Sequence, residues 1–72
     1  MNNLNVAKIQ LNGKRHQINV GTNLNELLNS LKIEKKKVAI EVNGKIVEKS
    51  KYLKLILNKD DKVEIVHFIG GG

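Results

Sequence analysis

Hydrophobic and polar residues alternate with a period of two from Ala7 to Val20, and the alternation is interrupted once, at Asn12-Gly13. Asn-Gly is a preferred pair for a two-residue hairpin turn, because both central positions need positive φ. Closing the chain there sets Leu11 opposite Lys14, Ile9 opposite His16 and Ala7 opposite Ile18. Ala7, Ile9, Leu11, Ile18 and Val20 then share one face, and Lys8, Gln10, Arg15, Gln17 and Asn19 share the other. This predicts a hairpin with one buried and one wet side. After Gly21 the period becomes helical: Leu24, Leu27, Leu28 and Leu31 fall at i, i+3, i+4 and i+7, the spacing of a buried stripe. Thr22 or Asn23 can cap this helix, and Asn23 with Glu26 has capping-box spacing. Asn25, Glu26, Asn29 and Ser30 fill its outer side. The run Lys35-Lys36-Lys37 is expected to end the helix and form the following loop.

Val38, Ile40 and Val42 alternate with Ala39 and Glu41, so a third strand is predicted. Asn43-Gly44 is a second hairpin signal and leads into the short strand Lys45-Ile46-Val47. Glu48 to Leu57 is open between a helical turn, with Tyr52, Leu55 and Ile56 on one side, and irregular packing. Asn58 to Asp61 is a polar turn. Val63 to Ile69 is the last strand, with Val63, Ile65 and Ile69 facing one way and Val66 and Phe68 the other. A strand apolar on both faces is usually central in its sheet. The crossover through the helix allows parallel neighbours, so the closing strand is expected beside the first.

This order predicts an α+β chain of the β-grasp (ubiquitin-like) type. It is a mixed sheet of four to five strands with one main helix packed across it. A single domain over residues 1–72 is expected, with residues 1–6 as an N-terminal extension and residues 70–72 as a flexible tail.

Composition narrows the chemistry. No cysteine occurs among the 72 residues, which excludes disulfides and thiolate zinc sites. No apolar stretch approaches the roughly 18 residues of a membrane span, and the polar start Met1-Asn2-Asn3-Leu4-Asn5 has no signal-peptide pattern. A cytoplasmic protein with no membrane partner is expected. The net charge of +6 invites a nucleic-acid partner. Against it, Arg15 is the only arginine, and Tyr52 and Phe68 are the only aromatics. Bidentate forks and base-stacking platforms both need more of these residues. The lysines are spread along the chain as on a solvated face, and they would speed encounter with an acidic protein.

No catalytic constellation is visible. The hydroxyl-bearing candidates Thr22, Ser30, Ser50 and Tyr52 have no histidine near them in sequence. His16 and His67 fall in strands, and Asp60-Asp61 is a solvated turn pair. No glycine loop opens a helix to cradle phosphate. No catalytic residue, bound cofactor or metal is expected.

The glycines Gly70-Gly71-Gly72 directly follow the last apolar run. Without a Cβ, such a strip can enter a channel too narrow for other residues. Extended, it reaches about 10 Å and presents the Gly72 carboxylate unhindered. That suits a protein whose own C-terminus is another enzyme's substrate. The apolar patch at its root, Val66 and Phe68 with Ile69, is a candidate partner interface. The alternative for Val66 and Phe68 is cover by the Glu48 to Leu57 segment.

Three stretches resemble the ThiS family of thiamine-biosynthesis sulfur carriers. They are Lys8-Ile9-Gln10-Leu11-Asn12-Gly13, Glu41-Val42-Asn43-Gly44-Lys45-Ile46-Val47 and, most specifically, Val63-Glu64-Ile65-Val66-His67-Phe68-Ile69-Gly70-Gly71-Gly72. The resemblance runs from about Ala7 to Gly72. It implies that an ATP-using adenylating enzyme, ThiF, activates the Gly72 carboxylate, and that ATP binds that partner. A persulfide donor then supplies sulfur to form a thiocarboxylate, which thiazole synthase, ThiG, consumes. Gly70 and Gly71 would be the threading tail, and the free protein would be a monomer. Members often carry Asp-Gly-Asp before the last strand, where this chain has Lys59-Asp60-Asp61, a turn that aspartate can make with slight strain. Two other classes stay open. One is a carrier like the molybdopterin-synthase small subunit, which tends to carry prolines before its glycines, whereas this chain has none. The other is a non-carrier β-grasp module that binds protein or RNA.

Overall fold

A computed structural model describes residues 5–69. The first four residues and Gly70 to Gly72, where the threading tail was expected, lie outside the described residues. Six elements carry the fold: β1 (Val6–Leu11), β2 (Lys14–Asn19), α1 (Leu24–Leu31), β3 (Val38–Val42), β4 (Lys45–Val47) and β5 (Lys62–His67). The strands form one five-stranded sheet in the order β2-β1-β5-β3-β4. All neighbours are antiparallel except β1 and β5, which run parallel. The last strand is therefore central, as its two apolar faces predict. The first hairpin has the expected register, with Leu11 opposite Lys14, Ile9 opposite His16 and Ala7 opposite Ile18.

The core lies between the sheet and α1. Ile9, Ile18, Val38, Ile40, Val42, Val63 and Ile65 project from the strands, and Leu24, Leu27 and Leu28 from the helix. The capping box forms: Asn23 Oδ1 accepts from the Glu26 N–H (2.8 Å), and Glu26 Oε1 accepts from the Asn23 N–H (3.0 Å). The C-terminal stop is not the lysine run. Lys32 adopts a left-handed conformation, φ 59°, and its N–H reaches the Asn29 and Leu28 carbonyls. Lys35–Lys37 instead form a short 3₁₀ turn leading into β3.

Other differences have local causes. Val20, expected on the buried face, is exposed, because β2 ends at Asn19 and the chain turns away. Ile69, expected to face inward with Val63 and Ile65, is 96% exposed, because β5 stops at His67. The first strand starts at Val6, and the Asn5 carbonyl accepts from the Val20 N–H, so the hairpin reaches into the expected extension. The open segment is a 3₁₀ turn at Lys49–Lys51 followed by irregular chain. It buries Tyr52 and Leu57 and half-buries Leu55, while Ile56 stays exposed. The Tyr52 hydroxyl is buried without a well-formed hydrogen bond. Its desolvation raises the phenol pKa, offset in part by the nearby backbone of Ile40.

The two Asn-Gly turns do more than reverse the chain. Asn12 and Asn43 take the required positive φ, 49° and 54°, with Gly13 and Gly44 at 83° and 85°. Each asparagine side chain also grips β5. Asn12 Nδ2 donates to the Ile65 carbonyl (3.0 Å), and Asn12 Oδ1 accepts from the Ile65 N–H (2.7 Å). On the other flank, Asn43 Oδ1 accepts from the Lys62 N–H (2.9 Å), and Asn43 Nδ2 donates to Asp61 Oδ1 (3.0 Å). Asn12→Gly keeps the turn but strips both bonds from Ile65. It is expected to lower stability by about 1–3 kcal/mol, since two net hydrogen bonds go and two backbone groups lose their partner. Urea unfolding would measure this, and an unchanged midpoint would show that the side-chain clamp contributes nothing.

Candidate functional site

Strand β5 leads directly to the glycine tail, so its end is the candidate site. Alternation along the strand decides what it presents. Val63 and Ile65 pack on the helix side, while Val66 and Phe68 lie on the opposite face, 57% and 53% exposed. The Glu48 to Leu57 segment leaves them largely uncovered, because its anchors Tyr52 and Leu57 turn into the core and Lys49 alone of its described cations reaches the Phe68 ring. With Ile69, the two residues leave an apolar patch at the point where the tail begins.

Lys49 borders this patch. Its Nζ donates to the Val38 carbonyl (2.6 Å) and stands 5.4 Å from the centre of the Phe68 ring. It is also 6.0 Å from the Tyr52 ring centre. The Phe68 N–H donates to the Lys37 carbonyl (2.9 Å), continuing the β3 ladder one step beyond His67. Backbone pairing and a cation over the ring thus hold the last residue before the exposed Ile69. Sequence spacing could not show Lys49 here: it lies 19 positions from Phe68 in the chain, and only the β4 to Tyr52 turn brings it across.

The remaining polar candidates do not assemble into a reactive centre. A groove of about 450 Å³ between β2 and α1 is lined by His16, Glu26 and Ser30 among others. That these three border one groove was not legible in sequence. The serine and the glutamate are otherwise engaged, however. Ser30 Oγ donates to the Leu27 carbonyl (2.7 Å), and Glu26 Oε1 is taken by the Asn23 N–H (3.0 Å). Thr22 Oγ1 donates to the Asn19 carbonyl (2.6 Å). Asp61 serves the turn, with Oδ2 accepting from the Asn58 N–H (2.8 Å) and Oδ1 from Asn43, while Asp60 sits at φ 68°. Among the described residues, no three His, Asp or Glu side chains cluster to hold a metal, and no helix is long and apolar enough to cross a membrane.

A five-stranded mixed sheet around a central C-terminal strand, with one helix across it, defines a β-grasp protein. The ThiS family matches residues 9–72, and the chain belongs to that family. The sulfur carrier protein ThiS of Bacillus subtilis is 42% identical over 66 residues, covering 89% of this chain and 98% of that protein. A thiazole synthase of Magnetococcus marinus is 46% identical over 65 residues, which are 90% of this chain and 20% of that relative. The chain thus spans about one fifth of the length of that thiazole synthase. Among solved structures, the thiamine biosynthesis protein ThiS of Geobacter metallireducens superposes with a TM-score of 0.79 at 31% identity, covering 90% of this chain and 99% of that one.

Proposed function

We propose that this protein is a sulfur carrier of thiamine biosynthesis, acting in the cytoplasm as the substrate of other enzymes rather than as an enzyme itself. The observation that carries this is the match to a sulfur carrier over 98% of that carrier's length. It is joined to a geometry in which the central strand delivers an apolar, uncovered root to the tail. In this proposal a ThiF-type enzyme uses its own ATP to adenylate the Gly72 carboxylate. A carboxylate oxygen is a poor leaving group until it is joined to AMP in a mixed anhydride, with pyrophosphate released. The terminal sulfur of a persulfide donor then attacks the acyl carbon and expels AMP, giving an acyl disulfide. A thiol cleaves its S–S bond, leaving a thiocarboxylate on Gly72 and a disulfide between that thiol and the donor. Gly70 and Gly71 thread the activating channel. A thiazole synthase of the ThiG kind takes the sulfur, and the thiazole synthase whose own chain includes a ThiS-like fifth supports this pairing. Incubation with ATP, a sulfur source and the ThiF-type enzyme, followed by intact mass spectrometry, tests the proposal: one terminal oxygen should be replaced by sulfur. An unchanged mass with active enzyme would overturn it.

Val66, Phe68 and Ile69 are the proposed anchor on the adenylating enzyme. Phe68→Ala is expected to change stability by no more than about 1 kcal/mol, the scale of an exposed cation–π contact. The same change should weaken binding to that enzyme by about tenfold or more, as loss of a buried aromatic anchor does at interfaces. Calorimetry for binding and thermal melting for the fold separate the two. A large fall in melting temperature with intact affinity would assign the ring to the fold instead.

A further inference from the structure

We infer that the free edge of β5 at His67, with the groove beneath it, is a second docking surface, and that it takes an extended acidic segment of the adenylating enzyme. The inference rests on the carrier function proposed above. It concerns the opposite face of the strand from Val66 and Phe68.

Backbone groups along β5 alternate between its two neighbours. The Lys62 carbonyl accepts from the Asn43 N–H (2.7 Å) and the Phe68 N–H donates to Lys37 (2.9 Å), both on the β3 side. Val63 and Ile65 turn the other way. The Val63 carbonyl accepts from the Asn12 N–H (2.9 Å), and the Asn12 side chain takes both groups of Ile65. β1 has already ended at Leu11. His67 is the next residue facing that side, and its N–H and carbonyl have no partner there among the described residues. An unpaired strand edge is a template for main-chain pairing with another polypeptide.

The surface beside this edge sets the chemistry of the occupant. A groove of about 270 Å³ is lined by Leu11, Asn12, Leu31, Ile33, Ile65 and His67, so it suits an apolar side chain. Ile33 also lines an adjoining groove with Lys32, Lys35 and Lys36. Glu34 is the one acid in that second groove, and it already stands 4.0 Å from Lys36 and 3.7 Å from Lys37. Lys14 lies opposite Leu11 in the hairpin. A segment that pairs with His67 therefore places an apolar residue beneath β5 and meets lysines on either side, which favours Asp and Glu around that residue. Because His67 is two residues before Ile69, such pairing would also align the tail with the partner's active site.

Two substitutions at one position isolate the edge. His67→Ala keeps the backbone N–H, while His67→Pro removes it. Proline is tolerated at this edge because that N–H is outside the β3 ladder and Val66 is already extended. Both variants should melt close to the wild type. His67→Ala should bind the ThiF-type enzyme within about threefold of wild type and His67→Pro about tenfold more weakly, the scale of a lost interfacial hydrogen bond. In the wild type, adding the enzyme should slow hydrogen exchange at the His67 amide, whereas the Phe68 amide is protected already. Lys35→Glu should weaken binding about threefold or more. Equal affinity of the alanine and proline variants, or unchanged His67 exchange in the complex, would overturn the edge. Unchanged affinity of Lys35→Glu would overturn the acidic character of the occupant. Failure of the wild type itself to acquire sulfur would overturn the carrier function, and this inference with it.

Discussion

Gly71→Val is expected to abolish thiocarboxylate formation while leaving the melting temperature unchanged. Valine adds a branched side chain at a residue proposed to thread the activating channel. β-branching also restricts the backbone on both sides of it. A channel shaped to bare backbone cannot take that bulk without moving the Gly72 carboxylate, and a displacement of about 1 Å is enough to lower a positioned reaction a hundredfold. Stability should not follow, because the buried residues from Ile9 to Ile65 all precede the tail. Intact mass after reaction with the adenylating enzyme is one measurement, and a melting curve of the same sample is the other. Normal sulfur loading by the variant would refute threading, and a lowered melting temperature would tie the tail to the fold.

Leu28→Ala is expected to destabilise the fold by about 2–5 kcal/mol, the range for deleting a buried leucine side chain. Leu28 is 1% exposed and packs with Leu24 and Leu27 against Ile40 and Val63 in one core. A chain of 72 residues has only about 4–11 kcal/mol in total on the usual per-residue scale. The loss is thus about a fifth of the stability or more. At roughly 4–8 °C per kcal/mol for a domain of this size, the melting temperature should fall by at least about 8 °C. Leu31 is only half-buried at the helix end, so Leu31→Ala should fall well short of this. Equal effects at the two positions would mean that the stripe is centred one turn later than the structure places it.

Much of this architecture is legible along the chain because its elements signal locally. Asn12-Gly13 and Asn43-Gly44 need positive φ wherever they sit, and a period of two on either side leaves one register for each hairpin. Asn23 and Glu26 cap their helix with atoms three residues apart. Signals weaken where a residue's environment comes from afar. The helix stop at Lys32 has no glycine to announce it. The segment after β4 has no period, since Tyr52 and Leu57 are buried by long-range packing rather than by a regular face. Val20 and Ile69 continue an apolar alternation past the last residue of their strands, so pattern alone assigns them to a buried face that has already ended.

By itself, then, the order of residues determined the strands, the helix, both turns and the central place of β5, because each follows from spacing along a few neighbouring positions. Only the tertiary structure decided what surrounds the end of that strand. Lys49 over Phe68, the Asn12 clamp on Ile65 and the edge at His67, unpaired among the described residues, join residues 19 or 53 positions apart or depend on where a neighbouring strand stops. Contacts of that kind are set by how the folded sheet closes, and no local pattern encodes them.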